Sequence, residues 1–184
     1  DFMKRTFHGF TPDTDGESID LIWWSVFQKE QDNFITACRS IIDRPRHRLH
    51  GREVYLRADK LKRVPSVVEN EVAEHRMDFA HLYRVEEQIQ SNDTQENRFL
   101  KYALQQITSK YDALKKRIER ISNYSVEQKE QMDKMLQTLK HLGYHPFFRT
   151  VGKFKGFNQE SLMLQRATGY SQVYRTWNML KRAY

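Results

Sequence analysis

With 184 residues, 39% of them apolar and 12% aromatic, the chain can enclose a compact core, which excludes an intrinsically disordered polymer. No run approaches the roughly 18 apolar residues of a membrane-spanning helix, and a mean hydropathy of -0.82 with 30% charged residues implies much solvated surface. The net charge of +7 lies in two blocks: residues 44–63 hold 8 basic against 2 acidic side chains and residues 149–184 hold 7 against 1, whereas residues 1–43 hold 4 against 8 and residues 64–148 hold 12 against 13.

The first five residues, Asp1 to Arg5, contain neither a long apolar core nor a small-residue cleavage site, and Cys38 is the single cysteine. Both features lead us to expect a cytoplasmic, reducing setting. Residues 1–17, with Thr11-Pro12-Asp13 and Asp15-Gly16, read as an irregular lead-in. A helix is predicted from Ser18 to Asp43, because Ile19, Ile22, Trp23, Val26, Phe27, Phe34, Cys38, Ile41 and Ile42 recur at helical spacing before Pro45 stops it. Trp23 and Trp24 are expected as core anchors.

Residues 46–63 are basic, with a short strand expected at Glu53–Leu56; Pro65 opens a short helix carrying Val67, Val68 and Val72 to Glu74. Tyr83–Ile89 reads as an edge strand with poor alternation. The clearest periodicity follows: Leu100, Leu104, Ile107, Tyr111, Leu114, Ile118 and Ile121 are spaced by fours and threes on a helix capped by Asp93 or Thr94 and ending near Ser122. Ser125 and Gln128 form a capping box for a second helix, whose seam of Met132, Met135, Leu139 and Leu142 runs to Gly143, a C′ residue by type. Two seamed helices with a short linker predict an antiparallel hairpin. After His145-Pro146 come a glycine-punctuated stretch, a helical turn at Ser161–Arg166, and a last helix from Tyr170 to Ala183 with Val173, Tyr174, Trp177 and Leu180 on one face. The expected fold is mainly α: residues 18–184 form a single helical domain with a hairpin arm at about 94–143 and at most a few short strands.

Catalytic chemistry is hard to place in this pattern. None of the seven glycines lies in a nucleotide-binding loop, and no serine lies in a nucleophile elbow. His47 and His50 are three apart, but Arg46 and Arg48 flank them without a nearby Cys or acidic third ligand, so they belong to the basic block. Glu127-Gln128-Lys129 has the E-x-K spacing of a metal-dependent nuclease but falls in a helix's first turn, where it serves charge and capping. We therefore assign no catalytic residue, metal or cofactor. What remains is binding. Arg44, Arg46, Arg48, Arg52, Lys60, Lys62 and Arg63 form one candidate phosphate-binding group, and Lys153, Lys155, Arg166 and Arg175 a second, since each neutralised phosphate releases condensed counterions. The same residues also fit a solvated basic face or a docking face for an acidic protein.

Two segments carry a family resemblance. Thr94-Gln95-Glu96-Asn97-Arg98-Phe99-Leu100-Lys101, followed by Leu104, resembles the T-x-E-N-R-F-[LV]-K-x-x-L helix start of McrC-like and LlaJI-like restriction proteins. Ser161, Leu164, Gln165 and Arg166, then Gly169, Tyr170, Val173, Arg175 and Trp177, resemble the later S-x-x-L-Q-R…G-Y-x-x-V-x-R-x-W element of that family. The resemblance implies a bacterial anti-phage restriction subunit, of which this chain is the non-catalytic region ahead of a PD-(D/E)xK nuclease domain. It further implies DNA as ligand and a McrB-type NTPase as partner. The alternative is an interaction scaffold that docks on that NTPase or self-associates through the hairpin. Arg166 and Arg175 fit either phosphate ligation or internal salt bridges.

Overall fold

The computed structural model describes residues 15–61, 63–75, 78, 80–121, 125–157 and 162–182. Most of the expected lead-in, Lys62 and Ser161 lie outside them. The fold is mainly α. In chain order it comprises α1 (Asp15–Asp43), β1 (Arg48–Leu56), 3-10 turns at Ala58–Lys60 and Ser66–Val68, and α2 (Glu69–Glu74). Then follow β2 (Tyr83–Ser91), α3 (Gln95–Ile121), α4 (Val126–Gly143), a 3-10 turn at Pro146–Thr150, α5 (Leu162–Arg166) and α6 (Tyr170–Lys181). Where periodicity predicts one domain, the contacts divide the chain into two compact units, Asp1–Arg46 with Asn92–Tyr184, and His47–Ser91.

In the first unit the two tryptophans are core anchors. Trp23 stacks on Phe27 at 5.3 Å and Trp24 stacks on Tyr111 of α3 at 4.7 Å, so the aromatic stripe of α1 lies along α3. Fully burying such rings stabilises by about 2–3 kcal/mol each before entropy is counted. The α3 seam from Leu100 through Ile118 is buried, and Met132, Leu136, Leu139 and Leu142 of α4 belong to the same core. Lys115 ties the helix pair, reaching Glu119 of α3 and Asp133 of α4 at 2.8 Å each. Asp20 of α1 accepts both Lys110 and Arg117 at 2.6 Å, so α1 covers the hairpin and its seam closes within the chain. The expected capping box at Ser125 and Gln128 is present.

Gly143 departs from expectation: it is the last residue of α4, and the described glycines with positive φ are Gly156 and Gly169. Termination comes instead from Tyr144 and from His145, whose Nδ1 accepts the Phe147 N–H ahead of the 3-10 turn that Pro146 opens.

In the second unit β1 and β2 pair antiparallel over their whole length, from Arg48↔Ser91 to Leu56↔Tyr83. Both strands are longer than the sequence predicts. Only one end of one face is apolar: Val54, Leu56, Tyr83 and Val85 meet Val68, Leu61 and Val72, while most other strand positions face solvent. Alternation is weak for that reason, and cross-strand pairing supplies the order instead.

Candidate nucleic-acid interface

Thr94 caps α3, accepting the Asn97 N–H at 3.2 Å through its hydroxyl. Asp93, the other predicted cap, turns aside to grip Arg98 through two bonds of 2.6 and 2.5 Å and to accept the Gly152 N–H at 2.8 Å. The Arg98 guanidinium lowers the Asp93 carboxyl to about 2, assisted by the Gly152 amide. Asn97 is fully buried, and its NH2 donates to the carbonyls of Arg46 at 3.0 Å and Asn92 at 2.7 Å. These two residues bracket the 47–91 insertion, so one amide ties the chain where it leaves the first unit and where it returns. Asn97 Oδ1 accepts the Tyr170 hydroxyl at 2.5 Å, and that hydroxyl accepts the Arg46 N–H at 3.3 Å. Burial raises the Tyr170 pKa, which keeps the phenol a donor.

The segment after the 3-10 turn at Pro146–Thr150 is strapped across the start of α3. Lys101 Nζ donates to the carbonyls of Phe148 at 2.9 Å and Val151 at 2.5 Å, and Gln95 donates to that of Gly156 at 3.0 Å. Phe154 and Phe157 turn inward onto Phe99 at 5.5 and 5.2 Å. The alternation leaves Lys153 and Lys155 outward and exposed. Phe99 also meets Tyr174 and Trp177 of α6, and Phe157 meets Tyr174 at 6.3 Å, so strap and α6 share one aromatic cluster. The resembling motif residues Asn97, Arg98, Phe99, Lys101, Tyr170 and Trp177 therefore build this scaffold. Glu96 is half-buried in the first turn of α3, Gln165 is exposed near the end of α5, and Gly169 with φ 85° is the turn into α6.

The candidate cations divide between the units. Arg44, Arg46, Lys153, Lys155, Arg166 and Arg175 belong to the first, all exposed. Arg48, Arg52, Lys60 and Arg63 are exposed in the second, where Lys60 lies 3.7 Å from Asp59. Among the described residues, none of the six cations of the first unit has an ion-pair partner. Arg166 and Arg175 thus make no internal salt bridge there. The hairpin behaves differently. Lys110, Lys115 and Arg117 are all paired with carboxylates, and Asp112 takes Lys116 at 2.6 Å with Lys140 at 3.9 Å. Glu127 and Lys129 sit exposed in the first turn of α4. His47 precedes β1, and His50 faces Ile89 across the sheet.

One feature escaped the sequence reading. The face of α6 opposite its apolar side carries Ser171, Arg175, Asn178 and Arg182 at spacings of four, three and four. They line an open cleft with Gln172 and, from α5, Leu164 and Gln165. Its signal was the polar periodicity, which the apolar periodicity of the same helix overshadowed.

The chain belongs to the family described as a domain of unknown function (DUF2357), whose model matches residues 1–177. No curated protein and no solved structure matches it. Among the described residues no helix is long and apolar enough to cross a membrane.

Proposed function

We propose that this DUF2357 chain is the DNA-binding and positioning region of a McrC-type restriction subunit, one that carries no nuclease centre of its own. The observation that carries the reading is the contrast in charge pairing within one unit. Lys110, Lys115, Lys116 and Arg117 of the hairpin are paired with carboxylates, while Arg44, Arg46, Lys153, Lys155, Arg166 and Arg175 face solvent without one among the described residues. Cations left unneutralised on a rigid scaffold suit a polyanion, because their charge is available to displace counterions. The Arg46 backbone is bonded to Tyr170 at the start of α6, and the lysine strap packs on the same helix through Phe157 and Tyr174. The resemblance of the Asn97 and Tyr170 segments to McrC-like and LlaJI-like proteins supplies the system: a nuclease domain beyond this region and a McrB-type NTPase as motor.

The test is fluorescence anisotropy of a labelled duplex at several salt concentrations. Each phosphate contact contributes roughly -0.9 to the slope of log K against log salt, so changing Arg46, Lys153 and Lys155 to Ala together flattens the slope by about 3. Absence of binding at low salt, or a slope indifferent to the triple change, removes the reading.

A second reading, docking on the partner NTPase, draws on the second unit, where Leu49, Tyr55, Val67 and Leu82 are exposed. Exposed apolar side chains, where they adjoin in a patch, favour a protein partner. Loss of co-purification with the NTPase in a Tyr55→Asp, Val67→Asp variant, with DNA affinity retained, would assign this unit to the motor.

A further inference from the structure

We propose that α6 is the helix through which this protein reads base edges in the major groove of duplex DNA. The inference rests on the DNA-binding reading above and adds to it a place and a kind of readout.

The two sides of α6 have opposite characters. Tyr170, Val173 and Leu180 are buried in the core, and Trp177 and Tyr174 pack on Phe99. The other side holds Ser171, Gln172, Arg175, Asn178 and Arg182 along a cleft of about 620 Å³, whose edges Tyr174, Met179 and Leu164 complete. Among the described residues, no acidic side chain lines it. Among the described residues, the side chains of Gln172, Arg175, Asn178 and Arg182 have no hydrogen-bond or ion-pair partner. The arginines and Asn178 of this stripe, with Gln172 beside it, are groups that pair with guanine and adenine edges: the fork of Arg matches guanine O6 and N7, and the amides of Asn and Gln match adenine N6 and N7.

Length selects the ligand. Arg182 lies eleven positions after Ser171, and at about 1.5 Å per residue the stripe extends ~16 Å. That spans about five base pairs at ~3.4 Å each and exceeds what a single nucleotide covers. The B-form major groove, ~12 Å wide, admits one α-helix.

The approach to the helix fits as well. α5 ends at Arg166, Ala167-Thr168-Gly169 make a three-residue turn, and α6 begins at Tyr170. The turn has the length and the glycine of the one that joins a helix-turn-helix pair, whose second helix enters the groove. Positive φ at Gly169 permits the turn. The Tyr170–Asn97 bond and the aromatic cluster then fix the helix, so its polar stripe is ordered before DNA arrives. Lys153 and Lys155 are exposed on the strap whose Phe157 packs on Tyr174 of α6.

The 184-residue chain is used to select from a pool of randomised duplexes, and the enriched sequence is titrated alongside an unrelated duplex and a single strand. Wild type is expected to enrich a defined sequence. Gln172→Ala and Asn178→Ala should each relax the preference at one or two adjacent positions. They should weaken binding to the enriched duplex by about tenfold or more, with affinity for the unrelated duplex and the melting temperature unchanged. Lys129→Ala, on the hairpin, should match wild type. Tight, salt-dependent binding to every duplex without enrichment would overturn the inference and leave the DNA-binding reading standing. So would enrichment that both variants retain, or a preference for single strands. No binding to any DNA would overturn both.

Discussion

The Tyr170 hydroxyl donates to the side-chain oxygen of fully buried Asn97 at 2.5 Å, while the Asn97 amide donates to the carbonyls of Arg46 and Asn92. Two segments 73 residues apart thus meet in one polar knot at the root of the 47–91 insertion. Asn97→Ala removes three bonds and strands buried partners, and should cost about 3 kcal/mol; Tyr170→Phe should cost about 1–2 kcal/mol. Because the pair shares a bond, the double variant should lose less than the sum. Urea unfolding of the four proteins measures the coupling, and strict additivity would deny that the bond matters.

The seam of the hairpin makes a second prediction. Ile107 and Leu114 are buried within the chain between α3 and its neighbours, so Ile107→Asp or Leu114→Asp places an unpaired charge in the core. Destabilisation of several kcal/mol is expected for each. Because the seam closes within one chain, the melting temperature of wild type should not vary with protein concentration. A concentration-dependent transition would mean that the seam serves an assembly.

Asp93 links stability to acid. Its pKa falls from 3.8 to about 2 on folding, chiefly through the Arg98 hydrogen bonds. A carboxyl with a depressed folded pKa contributes stability that is present above its unfolded pKa and is lost as pH falls through the folded one. Wild type should therefore lose its advantage over Asp93→Asn progressively as pH drops from about 4 through the folded pKa, below which both carry a neutral group. Thermal melts across this range check it. A stability difference constant from pH 6 to 2 would show that Asp93 acts through shape alone.

Two glycines should respond in opposite directions. At Gly169 φ is 85°, and an added Cβ would lie 3.0 Å from Ile41 Cγ1 and 3.4 Å from the Ala37 carbonyl, so Gly169→Ala should destabilise by about 2 kcal/mol. At Gly143, the end of a helix without positive φ, an added Cβ meets nothing within 4 Å. Gly143→Ala should stabilise by up to about 1 kcal/mol, since alanine lowers the entropy lost on helix formation. Chemical denaturation of both proteins would show whether the signs differ.

The sequence by itself determined the helices, because apolar spacing along α1, α3, α4 and α6 is a local property that any one-sided packing partner satisfies. It also determined the capping box at Ser125 and Gln128, whose partners are three residues apart. Residue type alone misassigned Gly143, since whether a glycine takes positive φ depends on where the following chain must go. The tertiary structure decided the rest. Nothing local marks Arg46 and Asn92 as the ends of an insertion; only their shared bonds to Asn97 do. The strands at Arg48–Leu56 and Tyr83–Ser91 are mostly solvent-facing, so they gain their order from each other and leave little alternation to read. Cations look alike in a sequence. Folding places carboxylates against Lys110, Lys115 and Arg117 of the hairpin and leaves Lys153, Lys155 and Arg175 facing water, because ion pairing depends on distances that no spacing rule encodes.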